Sequence, residues 1–171
     1  MAGYQSRGSQ SLYFQYAMNV LSPIDHQYFM NLAICEAKQA ALENEIPVGA
    51  VLVKDGEIIL REHNRTKQYA NPLAHAEKLI IDRIMASEPV FLYDYSLYVT
   101  LEPCLMCAGM LIWSRLGTLI WGAADPKSGV VGSVYNVLND KSFNHHPKVI
   151  GKVLELECSQ LLSSFFKEKR Q

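Results

Sequence analysis

The chain lacks the features of a membrane-embedded, repetitive or strongly basic protein. No run of about 18 apolar residues is present to span a membrane. Internal repeats and low-complexity tracts are also absent. Lys and Arg total 16 against 17 Asp and Glu, and the net charge of −1 gives no global signature of nucleic-acid binding. These absences leave an ordinary globular domain, with no membrane or DNA partner expected.

Residues 1–17 lack the apolar core of a signal peptide, and residues 11–15, Ser-Leu-Tyr-Phe-Gln, resemble part of a protease-cleavable expression tag. We therefore expect residues 1–17 to be a tag or a disordered N-terminus and the natural start to be Met18. A chain of 171 residues with 49% apolar and 19% charged content can bury a real core. The expectation is a single cytoplasmic domain over residues 18–171.

One histidine and a cysteine pair are the candidate metal ligands. His75 begins the tripeptide His-Ala-Glu, and Cys104 and Cys107 lie in the later pentapeptide Pro-Cys-Leu-Met-Cys. Neutral imidazole and thiolate sulfur both suit zinc, and two thiolates balance its double charge. Three protein ligands leave the fourth position open, which is typical of a catalytic zinc site. The pattern thus predicts one catalytic zinc ion per subunit.

Glu77 is the predicted proton carrier of this site. It lies too close to His75 to share a face of a regular helix, so we expect His75 at a helix entrance and Glu77 facing the pocket as general base and acid. Pro103 suits a first helical turn, which places Cys104 and Cys107 one turn apart on the same face. The positive end of that helix would favour both thiolates, and both sulfurs can reach one ion.

Each half of the pattern is weak alone. A lone His-x-Glu is common by chance, and a single Cys-x-x-Cys also occurs in redox pairs and in halves of structural zinc sites. No second Cys-x-x-Cys is present to complete four-cysteine coordination, so the joint pattern favours the catalytic site. Cys35 and Cys158 are then expected to be buried, reduced thiols, with a disulfide between them as the less favoured alternative.

Hydrophobic periodicity predicts alternating helices and strands. Helices are expected over residues 25–43, from about Ala76, over 103–114 and finally through Lys169, and strands over 48–53, 58–63, 97–101, 118–122 and 149–154. An Asp-Gly turn joins the first two strands into a hairpin, and residues 125–132 should form a loop. The pattern implies a three-layer α/β/α domain with a central mixed five-stranded sheet.

Three longer stretches, residues 45–53, 98–109 and 158–166, resemble bacterial tRNA adenosine deaminases, a family of zinc-dependent nucleobase deaminases. The resemblance extends from about Ile24 to Arg170. It implies the cytidine-deaminase fold and hydrolytic deamination of adenosine to inosine at the wobble position of a tRNA anticodon. Water activated at the zinc would attack C6 of adenine, while Glu77 accepts its proton, protonates the ring nitrogen and helps ammonia to leave.

The resemblance also implies contacts with the anticodon stem-loop. Asn64 and Asp125 match family positions that contact the target nucleoside and the RNA backbone or sugar, although each also suits a capping role in a loop. Further candidates near the C-terminus are Phe165, Lys167 and Arg170, whose simpler roles are packing and a solvated helix end. Two positions depart from the family pattern, namely Ala124, where many relatives carry arginine, and Asn71, where many carry aspartate.

The predicted helix around residues 107–113 is apolar nearly all round. A fully buried helix in a monomer would explain this, but the resembled family is dimeric through this region, so a homodimer is the favoured interpretation.

Two other functions stay open. One is a zinc deaminase of a free base or nucleotide, such as guanine, cytosine or deoxycytidylate. The less favoured one is a zinc-stabilised RNA-binding module without catalysis, in which Glu77 would have no purpose.

Overall fold

The computed structural model of the protein describes residues 23–87 and 91–170, which contain four α-helices and five strands. The predicted tag at residues 1–17 and the predicted start at Met18 lie outside these residues. The elements are α1 (Pro23–Leu42), β1 (Gly49–Lys54), β2 (Glu57–His63), α2 (Ala76–Ser87), β3 (Tyr95–Leu101), α3 (Leu105–Trp113), β4 (Thr118–Ala123), a short 3-10 helix (Val137–Asn139), β5 (Lys148–Ile150) and α4 (Glu155–Glu168).

The five strands form one mixed sheet in the order β2-β1-β3-β4-β5. β1 pairs antiparallel with β2 and β3, whereas β4 pairs parallel with β3 and β5. The predicted hairpin between β1 and β2 is confirmed, with Asp55 and Gly56 at φ 51° and 79°, as an Asp-Gly reversal requires. The parallel pair β3 and β4 is joined by α3, which crosses one face of the sheet.

Alternate residues of the central strands build two cores, one on each side of the sheet. One cross-strand row packs with α2 and α3, and its members are Leu52, Leu97 and Leu119. The adjacent row packs with α1 and α4, and its members are Val51, Tyr98 and Ile120. The predicted three-layer α/β/α fold is therefore confirmed, with α2 and α3 together in one layer.

The predictions for the last strand and for Cys35 need correction. The last strand ends at Ile150 rather than at residue 154, because Lys152 and Leu154 adopt positive φ angles of 66° and 53° and turn the chain into α4. Cys35 is exposed, because α1 packs on the sheet through a different face that carries Ala33, Ala37 and Ala40. Cys158 is buried as predicted, and both thiols are free.

The beginnings of α2 and α3 meet beside the carboxyl end of β3. α3 begins only four residues after β3 ends at Leu101, and α2 follows β2 through a loop over residues 64–75. That loop is closed at its base by a hydrogen bond of 3.0 Å from the Arg65 amide to the Ala74 carbonyl. None of the helices within residues 23–87 and 91–170 has the length and hydropathy to cross a membrane.

Candidate active site

His75, Cys104 and Cys107 converge from the two helix beginnings. The Nδ1 atom of His75 lies 3.6 Å from Sγ of Cys104 and 3.7 Å from Sγ of Cys107. Zinc bonds of about 2.3 Å to sulfur and 2.0 Å to nitrogen, arranged tetrahedrally, place the ligand atoms about 3.5 Å apart. Among the described residues, these three are the group whose ligand atoms lie close enough to share a metal ion, all within 4.8 Å of one another. The donor set and its spacing therefore fit zinc.

Local backbone geometry explains this convergence. Cys104 is the N-cap of α3, with an extended conformation of φ −76° and ψ 172°, and its carbonyl accepts the first helical hydrogen bond from Ala108. Cys107 lies in the first turn, as the spacing predicted. The carbonyl of His75 likewise accepts from Leu79 at 2.9 Å, which confirms the prediction that His75 stands at the entrance of α2. The predicted start of α3 at Pro103 is two residues early.

The three ligand groups modify one another's protonation. A hydrogen bond from Cys107 is the main cause that lowers the pKa of the Cys104 thiol to about 4, and His75 adds to the effect. The bond to Cys104 also raises the pKa of His75. The pKa of Cys107 is raised by its hydrogen bond to Cys104, by burial and by the nearby charge of Glu77. The cluster thus carries a thiolate readily, and a divalent cation would draw off the remaining thiol proton.

Glu77 lies in the first turn of α2 with its side chain buried. It lines the same cavity as His75 and Cys104 but is not one of the three candidate ligand residues. Burial raises the pKa of its carboxyl, against the lowering effect of charge on His75. A carboxyl with a raised pKa beside a metal site is suited to accept a proton and to return it.

His75, Glu77 and Cys104 line a cavity of ≈540 Å³. This size is typical of a pocket for a small organic group such as a nucleobase. Its walls come from the segment before β1, from the loop after β4 and from one face of α4. The wall residues include Ile46, Val48, Leu101, Ala123, Pro126, Leu162 and Phe166. Their largely apolar surface would pack against the faces of a flat ring.

Asn64 lines this cavity and is buried. Its Oδ1 atom accepts a hydrogen bond of 2.9 Å from the Ala76 amide, so the side chain ties the end of β2 to the first residue of α2. The capping role considered for Asn64 is therefore confirmed for its oxygen. A substrate contact would fall to its amide nitrogen.

Asp125 also lines the cavity, and its carboxylate caps the turn that follows. It accepts from the amides of Lys127 and Ser128 at 2.9 and 3.2 Å and from the Ser128 hydroxyl at 2.6 Å. Burial opposes ionisation, but these hydrogen bonds leave the pKa of Asp125 lowered. The turn-capping role considered for this residue is thus confirmed, and Lys127 and Ser128 join it in the cavity wall.

The C-terminal candidates divide into two groups. Phe165 is only 8% exposed, lies 5.9 and 5.5 Å from the ammonium groups of Lys67 and Lys169, measured from its ring centroid, and does not line the cavity. Phe166, which is 42% exposed, does line the cavity. The sequence did contain a signal, because Ser159, Leu162, Ser163 and Phe166 follow the spacing of one helical face.

Lys167 and Arg170 line a second hollow of ≈440 Å³. The remaining residues of its lining, Ser163 and Phe166, also line the main cavity, so the two spaces adjoin. Both basic residues therefore stand beside the main cavity.

Two buried glutamates were missed as site residues. Glu45 accepts from the amides of Lys67 and Gln68 at 2.8 and 2.7 Å and from the Thr66 hydroxyl at 3.0 Å, and so anchors the loop that precedes His75. Glu102 binds the loop after β4 in the same manner. An acidic residue next to a strongly apolar stretch is the sequence signal that could have identified them, since such a carboxylate needs buried donors.

The family model for the cytidine and deoxycytidylate deaminase zinc-binding region matches residues 23–123. The chain belongs to this deaminase family. It is 46% identical over 146 residues to a tRNA-specific adenosine deaminase of Bacillus subtilis (strain 168), covering 85% of this chain and 91% of the relative. It is 45% identical over 145 residues to a tRNA-specific adenosine deaminase of Aquifex aeolicus (strain VF5), covering 84% and 95%.

A solved structure also matches this deaminase fold. It comes from biochemical and structural studies of A-to-I editing by tRNA:A34 deaminases at the wobble position of transfer RNA. The match has a TM-score of 0.75 and 40% sequence identity and covers 79% of this chain and 99% of the other. The cytidine-deaminase-like fold expected from the sequence is therefore confirmed, and zinc is the metal of the matched family region.

Replacing His75, Cys104 or Cys107 by alanine should remove bound zinc. The purified protein should contain about one zinc ion per chain, and each variant far less, because two remaining ligands bind the ion too weakly. Elemental analysis after desalting measures the content. Cys35→Ser is the matched control, since its thiol is exposed on α1, and it should keep its zinc. A zinc-replete Cys104→Ala protein would contradict the assignment.

Proposed function

We propose that the protein is a zinc-dependent tRNA adenosine deaminase that converts adenosine to inosine at the wobble position of an anticodon. The observation that carries the proposal is the family match together with a His-Cys-Cys cluster and a separate buried glutamate at the floor of a nucleobase-sized cavity. The relatives named tRNA-specific adenosine deaminase, at 46% and 45% identity, support the choice of substrate. We also propose a cytoplasmic location, in keeping with Cys35 and Cys158, which form no disulfide.

The residues that would hold the zinc are His75, Cys104 and Cys107. A zinc ion at this position supplies Lewis acidity, which makes water a nucleophile near neutral pH. The two ligand cysteines lie at the start of α3, where the positive end of the helix dipole stabilises negative charge on sulfur. The protein thus contributes a preformed, electrically balanced metal site.

Glu77 would carry the protons of the reaction. Its carboxylate accepts a proton from water, delivers it to the N1 atom of adenine and then assists the departure of the amino group from C6. Adenosine and water are thereby converted into inosine and ammonia. The buried position of Glu77 raises the pKa of its carboxyl, which makes it a stronger base toward water than an ordinary exposed glutamate.

Substrate binding would use the walls of the cavity. The target base must leave its stack to enter, which a single-stranded anticodon loop permits at modest cost. We propose that the amide of Asn64 contacts the nucleoside and that Asp125 faces the RNA sugar or backbone. Phe166, rather than its neighbour Phe165, would be the aromatic side chain that contacts the anticodon stem-loop. Lys167 and Arg170 at the adjoining rim would contact phosphates.

An anticodon stem-loop with adenosine at the wobble position should yield inosine when incubated with the purified protein. Nucleoside analysis of the digested RNA measures the product, and ammonia release is followed with free adenine, guanine and cytosine in parallel. The same stem-loop with guanosine at the wobble position is the matched control. Ammonia release from a free base without inosine in the RNA would favour a free-base deaminase. RNA binding without any deamination would favour a non-catalytic module.

Glu77→Ala should keep its zinc and lose at least about a hundredfold in deamination rate, the usual scale for loss of a general acid and base. The metal should stay because Glu77 is not one of the ligand residues. Single-turnover inosine formation and elemental analysis on the same preparation measure both properties. An active, zinc-replete Glu77→Ala protein would exclude this role.

We also propose that the protein is a homodimer that uses α3. This short helix leaves Leu105 64% and Trp113 75% exposed, which is unusual for large apolar side chains. Association of two copies through this helix would cover them.

Light scattering should therefore find a particle of two chains, each of 19.3 kDa. Trp113→Glu should shift the protein toward monomer, because it places a charge in the proposed interface. Leu42→Glu is the control, since Leu42 is equally exposed but lies at the end of α1 in the opposite layer. A wild-type monomer at micromolar concentration would overturn the homodimer.

A further inference from the structure

Glu102 occupies an unusual position between the sheet and the metal site. It follows the last residue of β3, lies two residues before Cys104 and is only 2% exposed. Its carboxylate accepts hydrogen bonds from the backbone amides of Asp125, Val131 and Ser133 at 3.1, 2.8 and 3.0 Å, and from the Ser133 hydroxyl. One buried side chain therefore binds both ends of the segment 125–133.

The segment 125–133 is irregular, and its first part forms a wall of the cavity. Asp125, Lys127 and Ser128 line the cavity beside the metal-ligand cluster. The described residues of this segment contain no helix or multi-residue strand, only an isolated bridge between Val131 and Asn136. Contacts with Glu102 thus replace the ladder of hydrogen bonds that would hold a regular element in place.

Gly129 shows how closely the segment approaches this carboxylate. A Cβ atom at this position would overlap the Oε2 atom of Glu102 and crowd the carbonyl of Asp125. Residue 129 must be glycine because a side chain has no room here. The backbone conformation does not require glycine, since the φ of Gly129 lies outside the left-handed region. The chain can therefore wrap the carboxylate only when residue 129 has no side chain.

We propose that Glu102 is a positioning residue that holds the segment 125–133 as the substrate-binding wall of the cavity and thereby sets the KM for RNA. Glu102 stands outside the metal-ligand cluster and the proposed proton path through Glu77, so the chemical step should proceed without it. A wall that is ordered in advance avoids an entropic cost at the moment of binding. The inference rests on the proposed function and adds to it a residue that acts through its neighbours.

Glu102→Gln tests the contact with the least change in shape. A glutamine can still accept from Val131 and Ser133 through one oxygen, and the Ser133 hydroxyl can reverse to accept from the new amide. The Asp125 amide would then face an N–H group and lose its acceptor. We expect the KM for the anticodon stem-loop to rise about tenfold, with kcat within about threefold of wild type. Zinc content should be unchanged.

Gly129→Ala disturbs the same contact from the opposite side. It should raise KM in the same way, and the double variant with Glu102→Gln should raise it by less than the product of the two single effects, because both act on one contact. Leu119→Val is the control for general destabilisation, since this buried residue of β4 lies in the sheet core. It should lower the melting temperature and leave KM unchanged.

Amide hydrogen exchange tests the contact without any substrate. Residues 125–133 should exchange faster in Glu102→Gln and Gly129→Ala than in wild type, and the control Leu119→Val should not single out this segment. Unchanged exchange in both variants, or an unchanged KM, overturns the inference about Glu102. Wild-type protein that forms no inosine overturns the proposed function instead, and the exchange experiment still decides whether Glu102 holds the wall.

Discussion

The meeting of two helix beginnings on one face of the sheet is the constraint on which the rest of the site depends. α2 and α3 share a layer because the row Leu52, Leu97 and Leu119 gives both helices one apolar surface. His75 precedes the first helix and Cys104 caps the second, so packing of the two helices brings the ligands within bonding range of one ion. The positive helix ends add an electrostatic preference for thiolate at that point.

Buried carboxylates then hold in place two of the segments that surround the metal-ligand cluster. Glu45 holds the loop before His75, and Glu102 holds the segment after β4. In each arrangement the carboxylate gains the hydrogen-bond donors that burial requires, and the backbone amides of an irregular segment gain an acceptor. The two irregular segments of the cavity wall are thereby held by side-chain contacts, and such preorganisation lowers the entropic cost of binding.

The metal-ligand cluster and the residues that line the cavity around it contribute differently to the proposed function. We propose that the metal-ligand cluster and Glu77 form the deamination site, and related chemistry serves several nucleobases. In the proposed function, the choice of substrate would depend on the wall residues and on the basic residues Lys167 and Arg170 at the rim. These few cations lie together at one end of α4, which reconciles a proposed RNA substrate with a chain of net charge −1. Local placement of charge thus matters more here than the total.

The sequence by itself determined the parts that depend on short-range spacing. Cys104 and Cys107 share a helical turn wherever that helix lies, and the Asp-Gly pair reverses the chain by its own conformational preference. The four-residue metal and proton signature and the α/β/α pattern followed from the same kind of local evidence.

Only the tertiary structure decided which side of a helix meets the sheet and which distant groups meet each other. The exposure of Cys35, the exchange of Phe165 for Phe166 in the cavity and the loop contacts of Glu102 belong to this second class. Such features depend on long-range packing. The elements that a helix packs against determine which of its faces is buried, and a buried carboxylate needs hydrogen-bond donors that are far away in the chain.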